Sequence, residues 1–284
     1  MEFTKMESAG NDYVYFDCTG GIPDEIAKDI PAAAIKLSDR HFGVGGDGIV
    51  LICKSEASDF RMRMFNNDGS EGKMCGNASI CIGKYVYEHG LTDKTEVTLE
   101  TLSGIKTLNL ETDGKSVIST SVNMGKAILT AKEIPVLSDE DTYINKKITL
   151  KNGVRYTGTA VSMGNPHFVI FTEDEISEEE FLRDGKLLEF HKSFPERVNT
   201  EFVTIRDRSH LKMRVWERGT GETLACGTGT CATVVAAVIN NYADYDAETE
   251  VEVRGGKLLV TYKEDGTVIL KGFGRESFSG NVYL

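Results

Sequence analysis

The sequence predicts an α+β fold of two similar domains, each a curved sheet wrapped around one central helix. Three observations carry that expectation. The chain repeats itself about two cysteines, strand patterns dominate both copies, and each copy holds one helix that begins just after its cysteine. With Cys75 aligned to Cys226, MCGNASIC (74–81) meets ACGTGTC (225–231). Met62, Arg63, Phe65 and Glu71 then meet Met213, Arg214, Trp216 and Glu222 without a gap. A long-period duplication of this kind means two copies of a domain-sized unit, not a solenoid. Two such domains facing each other about a pseudo-two-fold axis place equivalent residues across a cleft, and such clefts commonly bind ligands.

The elements follow in order. Gly10-Asn11 precedes the apolar strand VYF, and a helix is expected over 24–37. GVGGDG (43–48) satisfies G-x-G-x-x-G, but the run IVLI after it reads as a strand rather than the helix a dinucleotide site requires. The first central helix starts after Cys75 and ends near His89-Gly90, a glycine C-cap signal. A strand beginning T-E-V follows at Thr95, where Val97 and Leu99 alternate with polar residues and so bury one face. A glycine turn, a second strand and the hairpin turn Asp113-Gly114 complete the copy.

The second copy repeats this order. Gly164-Asn165 precedes HFVIF, a helix is expected over 178–189, and the acidic stretch Glu173–Glu180 reads as its solvated start. TGTCATVVAAVI, roughly Thr228 to Ile239, is apolar all round and therefore a buried helix. The T-E-V strand recurs at Thr249, and the D-G turn at Asp265-Gly266. The expected domains are 1–120 plus 272–284, carrying Cys75, and 121–271, carrying Cys226.

Composition narrows the function. The chain has 284 residues, 40% hydrophobic and 27% charged, with a formal net charge of −12. Nucleic acid and anionic membranes are poor partners for that charge. No stretch approaches a membrane span, and MEFTKMESAGND lacks the apolar core of a signal peptide, so a cytoplasmic location is expected. The six cysteines are expected as thiols, with no C-x-x-C pair and no zinc-type Cys/His spacing. Cys81 and Cys231 recur inside the two buried helices and read as core packing.

Cys75 and Cys226 differ because each stands where a loop becomes a helix. The first turn of a helix has unpartnered N–H groups and a positive dipole end. Such a terminus is expected to lower a thiol pKa and to seat a carboxylate, and the glycine beside each cysteine opens the approach. Gly76-Asn77 and Gly227-Thr228 therefore read as two anion-binding corners, each with its own thiol. A carboxylate held by both is stabilised further as the α-proton leaves and an enediolate-like carbanion forms. One thiolate takes the α-proton, the opposite thiol returns a proton to the other face, and the stereocentre inverts.

The residues reached so far closely resemble the diaminopimelate epimerase family over essentially the whole chain. The resemblance lies in VSMGNPHFVIF, VNTEFV and above all VWERGTGETLACGTGTCATVVAAV. In the first half it lies in GNDYV, FGVGGDG, FNNDGSEGKMCGN and GKYVYEHG. It implies two domains of mixed sheet around a central helix, and interconversion of LL- and meso-diaminopimelate in lysine biosynthesis without cofactor or metal. It implies that Cys75 and Cys226 are the acid/base pair and that Gly76, Asn77, Gly227 and Thr228 bind the carboxylate. It makes Asn11, Asn66, Asn165, Asn199, Glu217 and Arg218 substrate contacts, and His167 and Glu217 modulators of the thiol pKa values. A small amino-acid substrate and a homodimer are the expected partners.

Two positions depart from the family pattern. Gly48 stands where some members carry a substrate-contacting glutamine, opposite Asn199 in the repeat, so a water or a backbone group is expected there. Ile80 stands where arginine is frequent. The alternative reading is a racemase of another amino acid, such as histidine, on the same scaffold. Proline racemase-like enzymes typically carry histidine where Asn77 sits. A redox or metal-binding protein needs a C-x-x-C motif or further ligands, and a non-catalytic binding protein has no use for two matched thiols.

Overall fold

A computed structural model describes residues 1–284. The chain divides into two compact units, Met1–Asn123 with Lys271–Leu284, and Met124–Leu270.

In the first unit β1 (Glu2–Ser8) and β2 (Asn11–Cys18) form an antiparallel hairpin. Its two-residue loop puts Ala9 and Gly10 at φ 50° and 81°, the left-handed pair such a turn demands. The helix expected over 24–37 is two helices, α1 (Asp24–Ala27) and α2 (Ile30–Ser38). Pro31 is the reason for the break: it has no N–H to continue a helix but suits a first turn. Asp29 caps the restarted helix, accepting from Ala32 N–H at 3.1 Å. β3 (Gly48–Cys53) lies parallel to β2, and β4 (Phe60–Asn66) antiparallel to β3. β5 (Glu71–Gly72) leads to the central helix α3 (Gly76–Glu88), which ends at Gly90, φ 70°. β6 (Glu96–Thr101), β7 (Gly104–Thr112) and β8 (Val117–Lys126) complete the copy.

β6 runs parallel to β4, and β7 antiparallel to both β6 and β8, so the sheet is mixed. α3 packs on β1, β2 and β7, while α2 packs on β2, β3 and β4. The α2 side buries Val14, Phe16, Leu37, Ile49 and Leu51 in one core. At about 25 cal/mol per Å² of apolar surface, such cores supply most of the stabilisation.

The second unit repeats the pattern after an added strand. β9 (Lys146–Thr149) precedes β10 (Arg155–Ser162), β11 (Pro166–Thr172), α4 (Glu178–Glu189), β12 (Asn199–Asp207) and β13 (His210–Glu217). β14 (Gly221–Glu222), the central helix α5 (Gly227–Ile239), β15 (Glu248–Val253), β16 (Gly256–Tyr262) and β17 (Thr267–Gly272) follow. The pairing senses match those of the first unit: β10/β11 antiparallel, β11/β12 parallel, β12/β13 antiparallel, β13/β15 parallel, β15/β16 antiparallel. α5 packs on β10, β11, β12, β13 and β16 and is buried over nearly its whole length, as its all-apolar sequence requires. β18 (Arg275–Asn281) returns to the first unit, pairing antiparallel with β1. No helix is long and apolar enough to cross a membrane.

Candidate active site

Both singled-out cysteines are the N-caps of the central helices. Each has extended backbone angles, and each sulfur accepts from the third N–H of its helix: Cys75 from Ala78 and Cys226 from Gly229, both at 3.4 Å. Sequence order and helix start together thus set each thiol on the positive end of a helix.

Around Cys75 the corner is built from strand ends. The Cys75 thiol donates to Asn11 Oδ1 at 3.4 Å, and Asn11 Nδ2 donates to Asp47 Oδ2 at 2.7 Å. Asp47 also accepts from the backbone of Asp12, whose carboxylate is held by Lys5 and by both terminal nitrogens of Arg40. Burial would raise the Asp12 carboxyl, but Arg40 and Lys5 outweigh it and hold it below the usual range. Gly76 and Asn77 are buried in the first turn of α3, where Asn77 Oδ1 has no hydrogen-bond partner. Asn66 ends β4, and its amide donates to Ser70 Oγ at 3.0 Å, bracing the turn over 67–69.

The space opposite Gly48 is filled by Tyr13 and backbone. A Cβ on Gly48 would lie 2.9 Å from Tyr13 Cε1 and 2.1 Å from the Phe65 carbonyl oxygen. Tyr13 pairs with Gly48 across β2 and β3. Its phenol is pushed far up by burial and by the neighbouring Cys75 and Asp47. Tyr13 was not legible from its own surroundings in sequence. The repeat gives the only signal, since Tyr13 follows Asn11 as His167 follows Asn165. Ile80, the second departure, is buried without exposure in α3, an apolar setting that excludes an unpaired arginine.

Around Cys226 the corner is drier. Thr228 Oγ1 lies 3.5 Å from the sulfur and accepts from Asn165 Nδ2 at 3.3 Å. Asn165 Oδ1 lies 3.0 Å from His167 Nε2, and His167 Nδ1 lies 2.7 Å from Glu201 Oε1. Asn199 accepts from the backbone N–H of Arg218 at 2.9 Å, while the Arg218 guanidinium donates to the Glu196 carbonyl at 2.9 Å. Glu217 accepts from Thr223. Gly227 is buried in the first turn of α5.

One expectation fails here. A lowered thiol pKa was expected at both helix starts, but the Cys226 thiol is pushed well above its ordinary value. Burial is the largest cause, followed by the Glu217 and Glu201 carboxylates; the Thr228 hydroxyl and Gly229 N–H pull the other way and lose. Cys81 and Cys231 are fully buried in α3 and α5, and burial raises both thiols. No three His, Cys, Asp or Glu side chains are grouped so as to hold a metal ion.

The family model "Diaminopimelate epimerase" matches residues 3–130 and 159–276. The chain is 46% identical to the diaminopimelate epimerase of Methanococcus maripaludis, over 99% of both chains. It is also 46% identical to that of Acetivibrio thermocellus, over 100% of this chain and 99% of the relative. Among solved structures it resembles a hydroxyproline epimerase from Agrobacterium vitis. That likeness has a TM-score of 0.71 at 14% identity, covering 99% of this chain and 91% of that one. At that identity it speaks for the fold alone.

Proposed function

The chain belongs to the diaminopimelate epimerase family, and from that premise we infer that it interconverts LL- and meso-diaminopimelate by inverting one α-carbon. The observation that carries the chemistry is the matched pair of cysteine N-caps, one on each central helix. In this reading Gly76-Asn77 and Gly227-Thr228 offer N–H groups to the substrate carboxylate, whose charge grows as the α-proton leaves. One sulfur takes that proton and the other supplies one to the opposite face; in the reverse direction the two exchange roles. The raised Cys226 thiol suits this work. A sulfur that holds its proton tightly is the stronger base once ionised, and an α-proton needs a strong base.

Arg218 with Asn66, Asn165 and Asn199 is assigned to the far amino-acid head group. Lysine, which lacks a distal carboxylate, should then be ignored. Arg218→Ala should lose about tenfold or more in kcat/KM with the fold intact by circular dichroism. No cofactor enters this mechanism. A cytoplasmic location and a homodimer complete the proposal, the latter tested by light scattering.

Turnover in D2O tests the two-thiol mechanism. The inverted product should gain deuterium at its α-carbon well before remaining substrate does. Early exchange into unreacted substrate would mean a single shared base. Inversion of histidine in preference to diaminopimelate would keep the chemistry and overturn the substrate.

A further inference from the structure

The mechanism above leaves one carboxylate unused. Glu201 on β12 and His167 on β11 are both without solvent exposure. Glu201 Oε1 meets His167 Nδ1 at 2.7 Å, while Oε2 is buried with no partner. An ionised carboxylate so placed is costly unless a proton or a cation accompanies it. Glu201 also lies directly beneath the first turn of α5. A Cβ on Gly229 would stand 2.7 Å from Glu201 Oε1 and 3.3 Å from Cys226 Sγ, so only glycine lets this carboxyl approach that corner.

The hydrogen-bond directions fix the proton count. Asn165 donates its amide nitrogen to Thr228, so it offers its oxygen to His167 Nε2, which must carry a hydrogen. If the ring is neutral, Nδ1 has a lone pair and Glu201 must be protonated to meet it. If Glu201 is ionised, the ring must carry both hydrogens. Either way the pair holds one shared proton and no net charge. Beyond Asn165, one Thr228 lone pair is occupied, and its hydroxyl hydrogen is free to turn toward Cys226 Sγ, 3.5 Å away.

We propose that Glu201 is a positioning residue for the epimerisation: by sharing a proton with His167 it sets the direction of the chain His167–Asn165–Thr228 that ends on the Cys226 sulfur. This rests on the two-thiol reading above. The charged and titratable groups facing the pair are Glu217 from β13 and Cys226 at the start of α5. At alkaline pH the shared proton is lost. Ionised Glu201 then keeps the hydrogen on Nδ1, Nε2 faces the Asn165 oxygen with a lone pair, and the chain must reverse.

Two substitutions and one spectroscopic measurement test this. Glu201→Met has the volume but no donor for Nδ1. Glu201→Gln can donate its amide to Nδ1, keeps the hydrogen on Nε2, and cannot titrate. Glu201→Met should lower kcat about 30-fold with KM within about threefold, and Glu201→Gln should recover most of that loss. The alkaline limb of kcat should move upward in Glu201→Gln. Nitrogen-15 NMR of the free enzyme should show His167 Nε2 protonated near neutral pH. His167 is the one histidine of five without exposure, so its slowly exchanging signal stands apart.

Equal loss in both variants, or an unprotonated Nε2 in the wild-type protein, overturns the proposal. If Glu201→Met does not fold, the wild-type NMR signal and the Glu201→Gln pH profile decide. A wild-type protein inactive on diaminopimelate would sink the functional reading instead, and leave the NMR result to judge the chain.

Discussion

Cys226 sits among groups that oppose its ionisation, and that gives a measurable signature. Its raised thiol should alkylate with iodoacetamide more slowly than a free thiol at pH 7 to 8 and speed up only above the ordinary thiol range, as mass spectrometry of the 226 peptide would record. Fast neutral-pH labelling would mean that the helix terminus outweighs burial and the two carboxylates. Alanine at Cys75 or Cys226 should cut inversion by about 10³-fold or more, whereas alanine at Cys81 or Cys231 should cost about 1–3 kcal/mol in denaturant unfolding and leave kcat near wild type. Tyr13→Phe keeps the ring that fills the space at Gly48 but removes the hydroxyl neighbouring Cys75; kcat should fall about tenfold. The two cysteine N-caps were legible in sequence because Cys-Gly at a helix start is written into both copies. Glu201 was not. It lies inside the strand VNTEFV among polar and apolar neighbours alike, and only the register of β11 with β12 brings it to His167. The direction of the Cys226 shift was equally hidden, because a helix terminus is visible in sequence while the burial and carboxylates opposing it are not.

Helix α5 begins on an unusual cap. Serine, threonine, aspartate and asparagine are the strong N-caps, and a sulfur accepting at 3.4 Å is a poor substitute. Cys226→Ser should therefore raise stability by about 0.5–1 kcal/mol, seen as a higher Tm, while abolishing turnover. A lower Tm would mean that the sulfur fills volume the hydroxyl cannot. The chain elsewhere uses the stronger device: Ser177 and Glu180 form a reciprocal capping box at the start of α4. Most elements could be read from sequence, since strand alternation and the all-apolar helix are strong periodic signals. The break between α1 and α2 was missed because Ile26 and Ala27 before Lys28-Asp29, and Ile30 with the alanines 32–34 after it, continue a helical pattern across the interruption.

At the scale of the molecule, the proposed chemistry requires both sulfurs to act on one carbon. Mild peroxide should then inactivate the enzyme by joining Cys75 to Cys226: two thiols give up their hydrogens, one S–S bond forms, and peroxide leaves as water. A thiol reductant should restore activity, and substrate should protect. Peptide mapping that finds both cysteines unlinked and unmodified in inactive protein would refute this prediction, because a disulfide demands Cα atoms within roughly 7 Å. The duplication made the architecture readable, since strand order and pairing sense recur in the two units. The return of β18 to β1 has a consequence for biosynthesis. The first unit is built from two separate stretches, 1–123 and 271–284, while the second is one uninterrupted stretch. Ribosomes emit residues in order, at about 5–20 per second. The unit begun first is therefore completed after the second: β1 keeps an open edge until residues 275–281 have been made, and Met124–Leu270 has all of its own chain before then.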